Sequence, residues 1–348
     1  MQFAKSLCEV RFVEQPRVER SARALVCGVR ALLGMASPWH LNTLRVPQAS
    51  RAPLRIRRTQ GRLALDGIFW RRMAQFGARR APGWFVRAAP PIVGVAIAIA
   101  APDARRRIAR ELERARGPVS AARCAIDVAC TFANFASCLT EVLSTGSKNG
   151  KAAQAIVHGD PRLQSVLAAR RGVIFATAHT AGWERIGPLV ASKLDLAVTL
   201  VMQRERDASA RELNDSRRRA QGGLNIVHMG GNPLDSLPLL RQLREGGVLA
   251  MQIDRVPSGM RARAVTLFGR PGGIPEGPLR LAQLTGAPII PVFSARTGHC
   301  SYAVYVRQPV FVSRGADERE LAAAAQRLAD AFGEFVSAHP TQWFPFDR

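Results

Sequence analysis

The segment His179-Thr180-Ala181-Gly182-Trp183-Glu184 holds the residue types best suited to chemistry in this chain. It follows directly on Gly172–Ala178, an apolar run that reads as a buried strand, and leads into a helical pattern over Ile186–Leu194. Residues just past a strand and at the mouth of the next helix converge at the C-terminal edge of an open α/β sheet. There Glu184 can accept a hydrogen bond from one imidazole nitrogen, fixing the tautomer and stabilising the imidazolium. The other nitrogen of His179 is then the general base for a hydroxyl nucleophile. This is the logic of the serine triad, with the substrate's own hydroxyl in place of the serine. The spacing alone is unspecific. A helix-entry histidine followed by a first-turn acid, favoured by the helix dipole, leaves the same pattern.

Several downstream residues suit anion binding. Gly269, Gly272, Gly273 and Gly277 permit a tight loop whose backbone amides could approach a phosphate or a thioester oxyanion. Arg204, Arg261, Arg263 and Arg270 offer guanidinium forks for lipid phosphates or a carrier's phosphopantetheine, and each is equally readable as a solvated surface charge. Asp254, at a strand's end, could orient a loop or an arginine. His228 follows a strand and could line the same sheet edge, whereas His40, His158 and His299 sit in expected loops. Trp343 and Phe344 read as aromatic packing of the C-terminus.

The elements that must position these groups alternate in type. Strands are expected at Leu196–Met202, Leu224–His228, Gly247–Ile253, Ala264–Phe268, Ile289–Ser294 and Tyr302–Val306. Helices are expected at Arg206–Gln221, Leu234–Glu245, Glu276–Thr285 and Glu318–Ala338. Such alternation predicts an α/β fold, a mixed but largely parallel sheet flanked by helices. The chain divides into a basic, poorly ordered extension over 1–60, a helical region over 61–150 and an α/β catalytic domain over 151–348. In the helical region Phe69, Trp70, Met73 and Phe76 recur at helical spacing among Arg71, Arg72, Arg79 and Arg80, as in a helix lying in a membrane interface. A helix packed on the core with its arginines in water fits the same pattern. The uncharged stretch from Ala88 to Pro102, interrupted by Pro90 and Pro91, is shorter than the roughly 20 residues that span a bilayer. It could dip into an interface.

With 348 residues, nearly half of them apolar, the chain can bury a large core; its formal net charge of +24 attracts polyanions. Nucleic acid, anionic lipid headgroups and an acidic carrier protein all qualify, but no nucleic-acid-reading motif is present. The six cysteines contain no C-x-x-C pair, which suits a reduced, cytosolic-side environment without a metal centre. No signal peptide is recognisable at the N-terminus.

The ordered blocks of the second half carry a family resemblance. His179 and Glu184 fill an H-x4-D/E pattern with Gly182-Trp183 between them. Met202-Gln203-Arg204, Gly246-Gly247-Val248-Leu249, Gln252-Ile253-Asp254-Arg255, Val265–Pro271, Gly277-Pro278, Thr285–Pro291 and Pro340-Thr341-Gln342-Trp343 follow. In that order and spacing they resemble the bacterial lipid A biosynthesis (late) acyltransferases, part of the wider lysophospholipid acyltransferase group. Arg255, where the family usually has Gln, and Pro275-Glu276-Gly277 depart from the pattern. The resemblance implies a glycerolipid acyltransferase-like fold with an N-terminal membrane-docking part. It implies transfer of a fatty acyl group from acyl carrier protein or acyl-CoA to a hydroxyl of a lipid A precursor or related membrane glycolipid. His179 would be the base and Glu184 its orienting partner, with Arg204, Asp254, Arg261, Arg263, Arg270 and Gly277 around the substrates. It implies no cofactor or metal, and a place on the cytoplasmic face of the inner membrane. A phospholipid, aminolipid or secondary metabolite as acceptor would need the same machinery.

Overall fold

The computed structural model describes residues 10–14, 68–148, 150–159, 162–193, 197–204, 208–219, 224–230, 233–257 and 259–346. Residues 68–348 form one compact unit with the N-terminal strand; the other unit, 16–67, lies outside the described residues, and with it most of the expected basic extension.

Among the described residues, four helices lie between the N-terminal strand and the other strands of the sheet: α1 (Ile68–Arg80), α2 (Gly83–Ala100), α3 (Pro102–Arg116) and α4 (Ala121–Leu143). Helix α2 begins earlier than the expected apolar stretch, because Gly83, Trp84 and Phe85 join its first turn, and it keeps both prolines inside. At 18 residues it is long and apolar enough to cross a membrane, as is α4, so the expectation that this stretch is too short to span is corrected. More than half of the apolar window in α4 is buried in the protein, as in a core helix. Helix α2 buries Val86, Pro90, Gly94 and Ala98, one residue every fourth position, against α4. Gly94 lets the backbones touch: a Cβ there would lie 2.5 Å from the Phe132 carbonyl oxygen. The rest of α2 is open, with Trp84 and Ile92 each 70% exposed and Phe85, Val93 and Ile99 beside them.

Among the described residues the main sheet has eight strands: β1 (Val10–Glu14), β2 (Gln154–Gly159), β3 (Val173–Thr177), β4 (Val198–Gln203), β5 (Leu224–Met229), β6 (Val248–Gln252), β9 (Ile289–Gly298) and β10 (Ser301–Val306). Their order is β1-β2-β10-β9-β3-β6-β4-β5, and every pairing is parallel except the β9–β10 hairpin. The expected fold class is therefore present. β2 takes in His158, which was expected in a loop and stacks on Tyr305 instead. Helices α5 (Arg162–Ala168), α6 (Trp183–Lys193), α7 (Ala208–Arg219), α8 (Leu237–Arg244), α9 (Gly277–Thr285) and α10 (Glu318–Ala338) complete the layers.

Strand β3 shows how the core is divided. Ile174 and Ala176 join the cluster under α9 and α10, while Val173 and Phe175 join that under α6, as the two-residue period of a strand buried on both faces demands. A separate hairpin, β7 (Ala262–Leu267) and β8 (Arg270–Pro275), packs against α10. Here the expected glycine loop is corrected: Gly272 and Gly273 lie in β8 and pair with Val265 and Ala264. The turn is Phe268-Gly269, both with positive φ, the geometry of a tight two-residue hairpin.

Candidate active site

Strand register builds the site. Thr177 and Gln252 are partners at the C-terminal ends of the adjacent parallel strands β3 and β6. Two residues beyond each stand His179 and Asp254, side by side at the same height. The His179 Nδ1 lies 2.9 Å from Asp254 Oδ1, and the His179 backbone N–H reaches the same oxygen at 3.3 Å. The second carboxylate oxygen accepts from Trp343 Nε1 at 3.1 Å. Asp254 and Trp343 are buried, whereas the imidazole is 26% exposed. The C-terminal segment closes one side: Ala181 N donates to Gln342 O, and Phe344 N to His179 O, both across a strand-like bridge at Thr180–Trp343.

Burial by itself would raise the Asp254 carboxyl. The adjoining imidazole outweighs it by charge and hydrogen bond, with Arg255 and the Trp343 N–H adding to the effect, and the group is held down at about 2. Asp254 is thus an anion fixed against Nδ1. The bonding network assigns the ring proton to Nδ1, and among the described residues Nε2 makes no hydrogen bond.

The structure places Glu184 elsewhere than the expected partnership with His179. Its Oε1 accepts from Arg218 Nη2 at 2.8 Å, and the acid at Nδ1 is Asp254. The cause is local. Gly182, at φ 81°, turns the chain sharply after His179, and a Cβ there would strike the Tyr302 ring at 2.2 Å. Glu184 consequently sits in the first turn of α6 and faces α7. Arg218 also lies over the Trp183 ring, which meets the His179 ring edge-on. Beyond it Asp215 bonds His228 Nε2 at 2.7 Å.

An apolar cavity runs between α6 and the sheet, lined by Phe175, Ile186, Val190, Leu200, Val292 and Val304 among others. Ala178, Thr180, Trp183, Glu184 and Arg218 share its lining, so it reaches the residues on either side of His179.

The other candidates are dispersed. Arg204 is exposed past β4, and its N–H continues the strand pairing to Met229 O. Arg261 is exposed at the start of β7's approach and offers its carbonyl to Glu276 N. Arg263 is bonded to Glu276 and Glu318, which ties the hairpin to α9 and α10. Gly277 opens α9, and Arg270 lies at the hairpin tip. Among ligand-type groups in the described residues, Glu141, His299 and Cys300 bring one atom each within 4.8 Å of one another. That carboxylate is already engaged by Arg296 Nε at 2.8 Å and by the Tyr302 hydroxyl, which fixes α4 to the β9–β10 hairpin. Arg218 and the Trp343 bond to Asp254 stand outside the residue-type expectations. An arginine within a polar helix and a tryptophan near the C-terminus carry no sequence signal of a shared site.

Residues 68–348 match the profile of a family described as bacterial lipid A biosynthesis acyltransferase. The chain belongs to that family. Among curated proteins it is similar to the phosphatidylinositol mannoside acyltransferase of Mycobacterium tuberculosis, 26% identical over 192 residues, covering 54% of this chain and 57% of the relative. The protein of the same name from Mycolicibacterium smegmatis is 25% identical over 184 residues, covering 52% of this chain and 57% of that relative. The chain therefore spans somewhat over half the length of the curated relatives it matches.

Proposed function

We propose that this family member is a membrane-surface acyltransferase that moves a fatty acyl group from a thioester donor, acyl carrier protein or acyl-CoA, to a hydroxyl of an anionic membrane glycolipid. The observation that carries the reading is the buried Asp254 anion held against His179 Nδ1 beside an apolar cavity. With Nδ1 committed, Nε2 takes the acceptor's hydroxyl proton as the oxygen attacks the thioester carbonyl. The imidazolium so formed is stabilised by Asp254 and returns the proton to the leaving thiolate. Asp254, rather than the Glu184 first expected from the H-x4-E spacing, is the orienting acid. Glu184 instead holds Arg218 at the cavity wall, where a guanidinium can stabilise the oxyanion of the tetrahedral intermediate. The acyl chain lies in the cavity.

The acceptor class rests on the relatives. The family description names lipid A, and the similar proteins are named for phosphatidylinositol mannoside. The open apolar face of α2, with Arg79, Arg80 and Arg87 near its start, suits a helix docked in an anionic bilayer surface. A location on the cytoplasmic face of the inner membrane follows from a donor made in the cytosol.

The test is acyl transfer from labelled acyl carrier protein or acyl-CoA into lipid A precursor, phosphatidylinositol mannoside and a total lipid extract, with products identified by mass spectrometry. Asp254→Asn and His179→Ala should each lose about 10²–10⁴ in rate, and Glu184→Gln about tenfold. A larger loss in Glu184→Gln than in Asp254→Asn would return the orienting role to Glu184. Transfer by His179→Ala at the wild-type rate would end the mechanism.

A further inference from the structure

A second feature lies across the C-terminal strip from the dyad. Arg107, Arg110 and Arg114 stand on one face of α3 and, with Arg270 from the β7–β8 hairpin, line a cleft that also contains Glu111 and Glu113. Among the described residues, none of the four guanidinium groups is in an ion pair with a carboxylate. Two of them are half-buried and anchored by carbonyls: Arg107 Nη1 donates to Phe346 O at 2.5 Å and Arg114 Nη2 to Pro271 O at 3.2 Å. Arg110 and Arg270 are exposed at the rim. Carbonyls orient a guanidinium without cancelling its charge, and the four guanidinium groups outnumber the carboxylates of Glu111 and Glu113, so the cleft keeps a net positive charge.

Both walls are linked to the His179–Asp254 pair through the C-terminal segment. The hairpin's Phe268 packs on Trp343, which donates to Asp254, and the strip holding Phe346 begins at Phe344, whose N–H donates to His179 O. A group held in the cleft is therefore anchored to the same C-terminal segment that packs against His179 and Asp254. Helix α3 also follows directly on α2 and its exposed apolar face.

We infer that the cleft of Arg107, Arg110, Arg114 and Arg270 is a phosphate-binding subsite that positions a phosphate-bearing substrate relative to His179. The inference rests on the acyltransferase reading for its purpose, but the binding itself does not. Two sources carry the same chemistry: the headgroup phosphate of a membrane lipid and the phosphates of the thioester donor.

The experiment measures binding without turnover, on the full chain. One arm is co-sedimentation with phosphatidylcholine vesicles with and without phosphatidylglycerol; the other is calorimetric titration with coenzyme A and with inorganic pyrophosphate. The Arg110→Gln/Arg270→Gln protein should bind about tenfold more weakly in at least one arm. Loss on the phosphatidylglycerol vesicles assigns the cleft to a lipid headgroup, and loss with coenzyme A and pyrophosphate assigns it to the donor. Arg171→Gln/Arg244→Gln is the control, since both residues are exposed and precede β3 and β6, at the sheet edge opposite His179. Arg110→Lys/Arg270→Lys keeps the charge without the fork and should show the same loss at smaller size. Unchanged binding in both arms, or a loss matched by the control, overturns the subsite. His179→Ala should bind as wild type does, so a failure of the catalytic reading leaves this result standing.

Discussion

At the scale of single residues, the proposed mechanism depends on one buried carboxylate being ionised. Removing the Trp343 N–H while keeping an aromatic ring, Trp343→Phe, deletes a bond to a charged acceptor. Because Trp343 acts through Asp254, we expect kcat to fall about tenfold with KM nearly unchanged, measured by steady-state acyl transfer. The double variant His179→Ala/Asp254→Asn should be little worse than His179→Ala alone, since the two act as a unit. Acid dependence follows from the same contact. The Asp254 carboxyl sits at about 2 in the folded protein, below the ordinary value near 3.8, so the unfolded chain binds the proton first as pH falls. Its contribution, of order 2 kcal/mol, is complete above pH about 4 and lost as pH drops through about 2. Denaturant midpoints of wild type and Asp254→Asn should differ at pH 7 and converge over that window. A gap that is constant with pH would mean that the ionised Asp254 carboxylate is not the source.

At the scale of elements, α2 has two faces with different jobs. Gly94→Ala puts a methyl into the Phe132 backbone and should destabilise the α2–α4 contact by about 1–3 kcal/mol, read as a lower thermal midpoint. The opposite substitution pattern, Trp84→Ser with Ile92→Ser, touches only exposed positions. It should leave that midpoint nearly unchanged while weakening sedimentation with anionic vesicles at least tenfold. Vesicle binding that survives this pair would place membrane contact elsewhere. The element-level pattern was legible where the apolar period was strong, as in β3, β6 and α10. It was not legible in β8, Arg270–Pro275, where two prolines and two glycines argue against a strand and only pairing with β7 makes one. β2 was also missed, because its only buried apolar side chains are Ala155 and Val157, too few to signal a strand alone.

At the scale of the whole molecule, the cysteines report on packing. Burial pushes the Cys138 thiol up to about 12, with the nearby Glu141 charge adding to it, and burial raises Cys300 likewise, whereas Cys130 is exposed. Native alkylation followed by peptide mapping should therefore modify Cys130 and spare Cys138 and Cys300 until denaturant is added. Rapid native labelling of Cys138 would show that α4 does not pack against the β9–β10 hairpin as described.

The sequence by itself determined the family, because ordered blocks of residue types survive as a linear pattern, and it determined the α/β class through its apolar periods. Which acid meets His179 was decided only by tertiary structure. Glu184 is near His179 in sequence, but the turn at Gly182 sends it toward Arg218. Asp254 is 75 residues away, yet the neighbouring parallel strands β3 and β6 end in register and bring it to Nδ1. Strand neighbours are set by packing of the whole sheet, and spacing along the chain carries no record of them.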